Sequence, residues 1–227
     1  MNVLDNPAWP SLTGVHRHLG NVRDRAARYH ADISPFAALA IPTPEAQADL
    51  AALLAPGEIV AIAGDHGASE RNGFRILQGL SIRQMVLDTP IDGPRVAPAR
   101  LGVADSTEML ALAELTRPGP FAVRTIAMGD YVGFRENGRL VAMGGERLRP
   151  PGFTEVSGIC THPDFRGRRY AEAIVRELSR SIQARGERPF LHVAIGSPSE
   201  AVATALYASL GYEERCSMAF TILERLP

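Results

Sequence analysis

The chain contains no lysine. All 24 of its basic residues are arginine, set against 25 acidic residues, for a formal net charge of −1. So balanced a charge argues against nucleic acid or an anionic membrane surface as the main partner. We read the missing lysine as a matter of composition rather than of function. Cysteine is nearly absent as well: Cys160 and Cys216 stand alone and form no Cys-x-x-Cys pair. That argues against a structural zinc and suits a reducing, cytoplasmic setting. No apolar run is long enough to span a bilayer, and Met1 to Pro10 lacks the basic and apolar regions of a signal peptide. His16-x-His18 could suggest a metal, but two residues apart on a helix the rings lie on different faces, so no metal is expected. There is no internal repeat and no low-complexity tract.

What remains is an ordinary globular composition. The chain has 227 residues, 45% of them hydrophobic, enough for one large domain or two small ones. Pro90 to Pro98 holds three prolines and a glycine and reads as a linker. It divides an N-terminal α/β region over residues 1–100 from a second unit over 101–227. In the first region the pattern predicts a helix from Leu12 to Leu19, a helix from Pro44 to Leu54 with proline in its first turn, and a buried strand over Ile59 to Ala63. Phe74 to Met85 reads as strand or helix, and His66 as a turn residue in Gly-Asp-His-Gly. In the second unit, Asp105 is placed to cap a helix bearing Met109, Leu112 and Leu115, with Glu108 as the capping-box partner. A short helix is expected within Phe121 to Met128. Asn137-Gly138 between two apolar runs predicts a hairpin. Phe190 to Ile195 and Cys216 to Ile222 read as strands. Ser197-Pro198-Ser199-Glu200 has capping-box spacing before a helix that ends at Gly211, which gives Glu200 a structural explanation.

The stretch from Thr154 to Arg185 carries the most chemistry. Val156 to Cys160 is short, apolar and partly β-branched, as a buried strand is, and Pro163 ends it. A polar turn with one glycine and three arginines follows. Ala171, Ile174, Val175, Leu178 and Ile182 then fall on one helical face, and Gly186 is a plausible stop. A strand, a tight turn and a helix start make an anion site, because the first N–H groups of a helix lack partners and the dipole is positive there. On spacing alone, a solvated basic turn that caps a helix fits equally well.

Pro163-Asp164-Phe165-Arg166-Gly167-Arg168-Arg169-Tyr170-Ala171 resembles the acyl-CoA pyrophosphate loop of the GNAT acetyltransferase superfamily, Arg/Gln-x-x-Gly-x-Gly/Ala. Arg169 stands where the family usually has glycine. Ala203-Thr204-Ala205-Leu206-Tyr207-Ala208-Ser209-Leu210-Gly211-Tyr212 is similar to the family's Ala-x-x-Leu-Tyr-x-x-Leu-Gly-Phe/Tyr at the family's distance downstream. The two-part layout resembles the glycine N-acyltransferase branch. The resemblance covers roughly Val103 to Leu226; residues 1–100 could be a degenerate half of the same fold.

The resemblance implies an α/β (α+β) fold with a mixed, splayed sheet flanked by helices. It implies acetyl transfer from acetyl-CoA to a small-molecule or peptide amine, by direct attack and without a metal, in a monomer or homodimer. The pantetheine arm would enter between Val156–Thr161 and Phe190–Ile195, against the backbone of Ile159, Cys160 and Thr161. Arg166, Gly167, Arg168, Arg169, Tyr170, Ala171 and Glu172 would hold the pyrophosphate, and Tyr207 would protonate the leaving thiolate. Glu155 would be the general base, its pKa raised by partial burial toward the working pH. Tyr212 is expected to pack, Cys160 to fill a strand, and His162 and His192 to fill a turn and a strand unless they relay protons. The alternatives on the same residues are a non-catalytic acyl-CoA sensor and a nucleic-acid module built on Arg166 to Arg169.

Overall fold

The computed structural model describes residues 2–64, 67, 72–94 and 96–227; His66 lies outside the described residues. After a first turn over Val3–Asp5 come α1 (Ala8–Thr13) and a three-stranded antiparallel sheet of β1 (Gly20–Arg23), β2 (Ala26–Tyr29) and β3 (Ala37–Leu39). Then follow α2 (Pro44–Ala52), β4 (Ile59–Ala63), β5 (Phe74–Val86), β6 (Ala99–Leu101) and α3 (Ser106–Thr116). The rest of the chain forms β7 (Tyr131–Glu136), β8 (Arg139–Glu146), β9 (Phe153–Thr161), α4 (Tyr170–Ala184), β10 (Arg188–Ala194), α5 (Glu200–Ser209) and β11 (Glu213–Arg225). Eight strands make one mixed sheet in the order β4-β11-β5-β10-β9-β8-β7-β6. Among the described strands of this sheet only β9 and β10 pair in parallel; the other neighbouring pairs are antiparallel. No helix among the described residues is long and apolar enough to cross a membrane.

Strands β4 and β5 belong to this sheet, although they come from the first hundred residues. β5 pairs with β10 on one side and β11 on the other. Of the first hundred residues, those up to β3 form a layer on this sheet, whereas β4 and β5 are strands of it, and the Pro90–Pro98 segment joins two of its strands.

Alternation along the strands gives the sheet two faces. Leu191 and Val193 point to the side covered by α4 and α5, where Ile174, Val175, Leu178 and Ile182 are buried. Burying each such side chain contributes on the order of 1.5–3 kcal/mol, so α4 is firmly seated. Phe190 and Val86 point the other way, into Leu4, Ala8, Leu12, Tyr29 and Ile33 of the N-terminal segment. On that same side α3 packs Met109 and Leu112 against Tyr131, Met143 and Cys160.

Several local expectations are corrected. The first helix is Ala8–Thr13, not Leu12 to Leu19. Pro10 sits in its first turn, where a missing N–H costs nothing, and at Gly14 a Cβ would come 2.7 Å from the Pro10 carbonyl oxygen. Asp105 and Glu108 form no capping box on α3: the Asp105 carboxylate accepts from the Gly102 N–H of the preceding turn at 2.7 Å, and both carboxylates bind Arg135, at 2.5 and 2.6 Å. Leu115 is exposed, and Ala113 takes the buried place beside Leu112. Between Phe121 and Met128 only a 3-10 turn forms, over Thr125–Met128. Helix α5 starts at Glu200, whose Oε2 accepts from the Gly196 N–H at 2.7 Å. The Asn137-Gly138 hairpin is present with φ of 50° and 81°, the left-handed pair that a type I′ turn requires.

His16 is buried beneath the N-terminal layer, its Nδ1 2.9 Å from the Tyr29 hydroxyl. Burial pulls its pKa down to about 4 from an ordinary 6.5. The unfolded chain therefore takes up a proton before the folded one does. The stability this provides is full above pH 6.5 and is lost as pH falls from there through 4, up to about 3 kcal/mol. Urea unfolding across that window should show the loss, and His16→Gln should flatten it. An unchanged pH slope in His16→Gln would rule His16 out as its source.

Candidate active site

The parallel pair β9/β10 is short. Its register is Arg188↔Phe153, Pro189↔Thr154 and Phe190↔Glu155, and there it stops. Beyond that point β9 stays with β8, while β10 stays with β5 through Leu191↔Met85, His192↔Gln84, Val193↔Arg83 and Ala194↔Ile82. The strands diverge and leave a cleft between Val156–Thr161 and Leu191–Ala194. A bulge contributes to this: Gly158 and Ile159 together face Gly144, and Gly158 has φ +65°. Bulges of this kind bend a strand and increase its twist. Ile159 packs on the α4 side, Cys160 on the α3 side, and Thr161 pairs with Ala142. Burial pushes the Cys160 thiol up to about 11, which leaves it protonated and a poor nucleophile.

The loop from Arg166 to Arg169 is exposed and lies directly beyond the end of β9. Among the described residues, no backbone N–H from Gly167 to Glu172 donates to an acceptor in the chain. Gly167 has φ +78°, and a Cβ built there meets nothing within 4 Å. Arg169 has φ 60° and ψ 20°, so it adopts the left-handed conformation that a glycine would favour at this point. Its side chain folds along the first turn of α4 onto Glu172, at 2.7 and 2.9 Å. Arg168 reaches Glu136 at 3.4 Å and covers the Phe165 ring. Tyr170 stacks on Phe134 with centroids 4.7 Å apart and also bonds Glu136. Ala171 is half-buried in the first turn.

Glu155 occupies the vertex of the cleft, at the last paired position. It is fully buried. Arg147 grips it with two bonds, Nε to Oε2 at 2.9 Å and Nη2 to Oε1 at 2.6 Å. The Leu148 N–H adds a third at 3.3 Å, and His192 Nδ1 lies 2.7 Å from Oε1. Burial by itself would raise the carboxyl pKa, but the Arg147 charge and these bonds outweigh it and hold the group well below the usual carboxylate range. This corrects the reading of Glu155 as a base with a raised pKa: the carboxylate is committed to its partners and has little affinity for a further proton.

His192 is held on its other side as well. Gln84 Nε2 lies 3.0 Å from His192 Nε2 and donates to the Leu4 carbonyl at 2.9 Å, while Arg215 donates to Gln84 Oε1 at 2.8 Å. Those partners fix the amide with its NH₂ toward the ring. His192 Nε2 is then an acceptor, and its proton sits on Nδ1 facing Glu155. A polar row thus crosses four adjacent strands, Glu155, His192, Gln84 and Arg215, with an arginine at each end.

Tyr207 lies on α5 in the same cluster as Val156, Leu191 and Val193, the apolar side chains at the diverging strands. Burial pushes its phenol up to about 12. Tyr212 packs beside it, with its hydroxyl 2.8 Å from Ser179 Oγ. His162 holds a turn: its Nδ1 is 3.3 Å from the Asp164 N–H, and its Nε2 is 2.8 Å from Arg139. Sequence reasoning missed Arg147, Gln84 and Arg215. One signal was available, the lone histidine within Phe-Leu-His-Val-Ala-Ile, since a polar side chain on a buried strand needs a partner on a neighbouring one.

Comparison with known proteins follows this geometry. Residues 131–221 match the family profile described as FR47-like protein. A GNAT-family protein from Novosphingobium aromaticivorans DSM 12444, known from a crystal structure, is 36% identical over 100% of both chains with a TM-score of 0.90. A GCN5-related N-acetyltransferase from Kribbella flavida is 17% identical over 99% of this chain and 96% of its own, TM-score 0.64. A GCN5-related N-acetyltransferase-like protein from Streptococcus suis 89/1591 is 17% identical over 96% and 92%, TM-score 0.59. The last two share the fold. No curated protein matches the chain.

The vertex can be tested by stability. Removing one partner of a buried pair typically costs about 3–5 kcal/mol, whereas replacing both by apolar residues is often neutral. Glu155→Ala should lose that much in urea unfolding, and Arg147→Met with Glu155→Leu should regain most of it. A Glu155→Ala protein within about 1 kcal/mol of wild type would show that the pair does not hold the vertex.

Proposed function

This chain belongs to the GNAT acetyltransferase family, and within it we propose that it transfers the acetyl group of acetyl-CoA to a primary amine by direct attack. The observation that carries the reading is the cleft with six unpartnered N–H groups at its end. Residues 101–227 would handle acetyl-CoA, in the layout of the glycine N-acyltransferase branch. Residues 1–100 would complete the sheet and wall one side of the cleft.

The residues fit the co-substrate. The edge of β9 that faces the cleft is free of β10, so the backbone of Ile159, Cys160 and Thr161 can take an extended pantetheine arm as a sheet takes a strand. The unpartnered N–H groups of Gly167 to Glu172 would receive the diphosphate, with the charges of Arg166, Arg168 and Arg169 in the same loop. Acetyl-CoA supplies the activated acyl group. The amine nitrogen bonds to the thioester carbon, the C–S bond breaks, and the thiolate takes up a proton. Tyr207 is the donor in this proposal: at a pKa of about 12 its phenol is fully protonated at neutral pH, and the dry surroundings that raise it also raise a thiolate formed beside it. The ammonium loses one proton to solvent before attack, because Glu155 and His192 are both committed within the polar row; the second, shed by nitrogen as the amide forms, goes to solvent and balances the proton that Tyr207 gives to the thiolate and then recovers from solvent. Glu155 instead keeps the two strands at a fixed angle.

The sensor alternative draws on the divergent Arg169; the turn of that side chain onto Glu172 supports a loop that takes acyl-CoA and does not by itself separate a sensor from an enzyme. Pairing of Arg168 and Arg169 to carboxylates weakens the nucleic-acid alternative.

The reading is tested by thiol release from acetyl-CoA over a panel of amino acids, polyamines, arylalkylamines and short peptides, beside calorimetric CoA binding. Binding without turnover across the panel would favour the sensor. Gly167→Val should stay folded, since the turn is exposed and a Cβ meets nothing, but at φ +78° a β-branched residue strains the turn, so that both the altered backbone and the added bulk weaken CoA binding about tenfold or more; unchanged affinity would remove the loop from the site. Tyr207→Phe should bind CoA normally and turn over ~10²–10⁴-fold more slowly. A loss of no more than about twofold would mean that the thiolate leaves unassisted.

A further inference from the structure

Strand β5 backs one side of the cleft, between β10 and β11, and one of its side chains reaches the helix that carries Tyr207. Arg83 lies between Val193 of β10 and Ser217 of β11. Its Nη1 donates to Glu200 Oε1 at 2.8 Å and to Thr204 Oγ1 at 3.2 Å. Its Nε donates to Glu214 Oε2 at 2.8 Å. Glu200, Thr204 and Tyr207 stand at i, i+4 and i+7 in α5, so they share one helical face. Glu214 lies where the chain has returned from α5 into β11. A single guanidinium therefore fastens both ends of the α5 excursion to the middle of the sheet.

Helix α5 depends on such a fastening. Among its own residues only Tyr207 is buried, whereas α4 buries five side chains. Apolar stabilisation scales with buried area, so packing holds α5 far less firmly than α4. Elements with few buried contacts open most readily. An isolated exposed ion pair would add little. Arg83, however, has a side chain only 21% exposed and binds two carboxylates at once, a geometry the rigid guanidinium fork suits and an ammonium does not.

We propose that Arg83 is a positioning residue for acetyl transfer: it sets the seat and rotation of α5 and so holds the Tyr207 hydroxyl at the cleft. The proposal rests on the reading of Tyr207 as proton donor. Small displacements suffice, since a misplacement of about 1 Å can cost ~10²-fold in rate. The clamp also gives the first hundred residues a direct part in the chemistry, through a strand that carries none of the acyl-CoA motifs.

The test compares Arg83→Gln in the wild-type and Tyr207→Phe backgrounds. Three readouts are needed: CoA affinity, thiol release from acetyl-CoA with the most active primary amine of the panel, and amide hydrogen exchange of the 200–209 segment. Arg83→Gln should speed exchange in that segment about tenfold or more while the β8–β9 amides stay unchanged. It should lower kcat ~10–100-fold with CoA affinity within about twofold of wild type. In the Tyr207→Phe background it should cost no further rate, because the group it positions is gone. Arg83→Lys should recover part of the loss. Unchanged exchange in α5, or an equal rate loss in both backgrounds, overturns the clamp even where Tyr207→Phe is slow. A Tyr207→Phe protein at the wild-type rate overturns the donor reading, and the proposal falls with it.

Discussion

The parallel pairing of β9 and β10 ends at Phe190 and Glu155, and the site depends on that ending. Two adjacent parallel strands would ordinarily continue their ladder, since each further pair satisfies backbone groups that burial would otherwise leave costly. Two features oppose this. The Gly158 bulge bends β9, and β10 is committed to β5 along its outer edge. At the vertex, the carboxylate of Glu155 joins Arg147 beyond the end of β8 to His192 on β10. It therefore ties together three consecutive strand positions where two of the strands part. A buried ion pair of this kind contributes little net stability over an apolar pair. Its value here is directional: bidentate geometry fixes an angle, which apolar packing does less sharply.

β5 is the second organising element. Successive residues of a strand point to opposite faces, and Arg83 and Gln84 use that property. Gln84 faces the N-terminal layer and completes the polar row through His192. Arg83 faces the helices and engages α5. One dipeptide thus supports the vertex from below and the Tyr207 helix from above. It can do so only because a strand from the first hundred residues lies between β10 and β11.

Much of the local structure was readable from residues close together in sequence. The strand before Pro163, helix α4, its stop at Gly186 with φ +77° and the Asn137-Gly138 turn all rest on interactions within a few positions. The anion-site logic of the loop is local in the same way. Sheet neighbours are not. Arg147 and His192 lie 8 and 37 positions from Glu155, and no spacing rule brings two such side chains to one carboxylate. Reading Glu155 as a base assumed a half-solvated carboxyl with no cation at hand, and the buried Arg147 reverses the direction of its pKa. Asp105 and Glu108 failed as a capping box partly for the same reason, since a distant Arg135 competes for both. The place of β5 was hidden because its pattern fits strand or helix and its partners lie over a hundred residues onward.

Arg169 shows how far backbone demand outranks residue type at this loop. The left-handed conformation costs about 1–2 kcal/mol for any residue with a side chain, and that cost is tolerated where surrounding structure over-determines the geometry. Here β9, the 3-10 turn over Pro163–Phe165 and the first turn of α4 leave the chain one way to round the corner. The Arg169 side chain then has to go somewhere, and Glu172 three residues ahead takes it along the first turn of the helix. The exposed pair with Glu172 is too weakly stabilising to offset the strain. Its effect is on direction: it turns the side chain along the helix, which in the proposed site would take bulk from the approach of the diphosphate. In the proposed pyrophosphate loop an arginine would then stand in for the family's glycine, its side chain drawn off by a carboxylate three residues on.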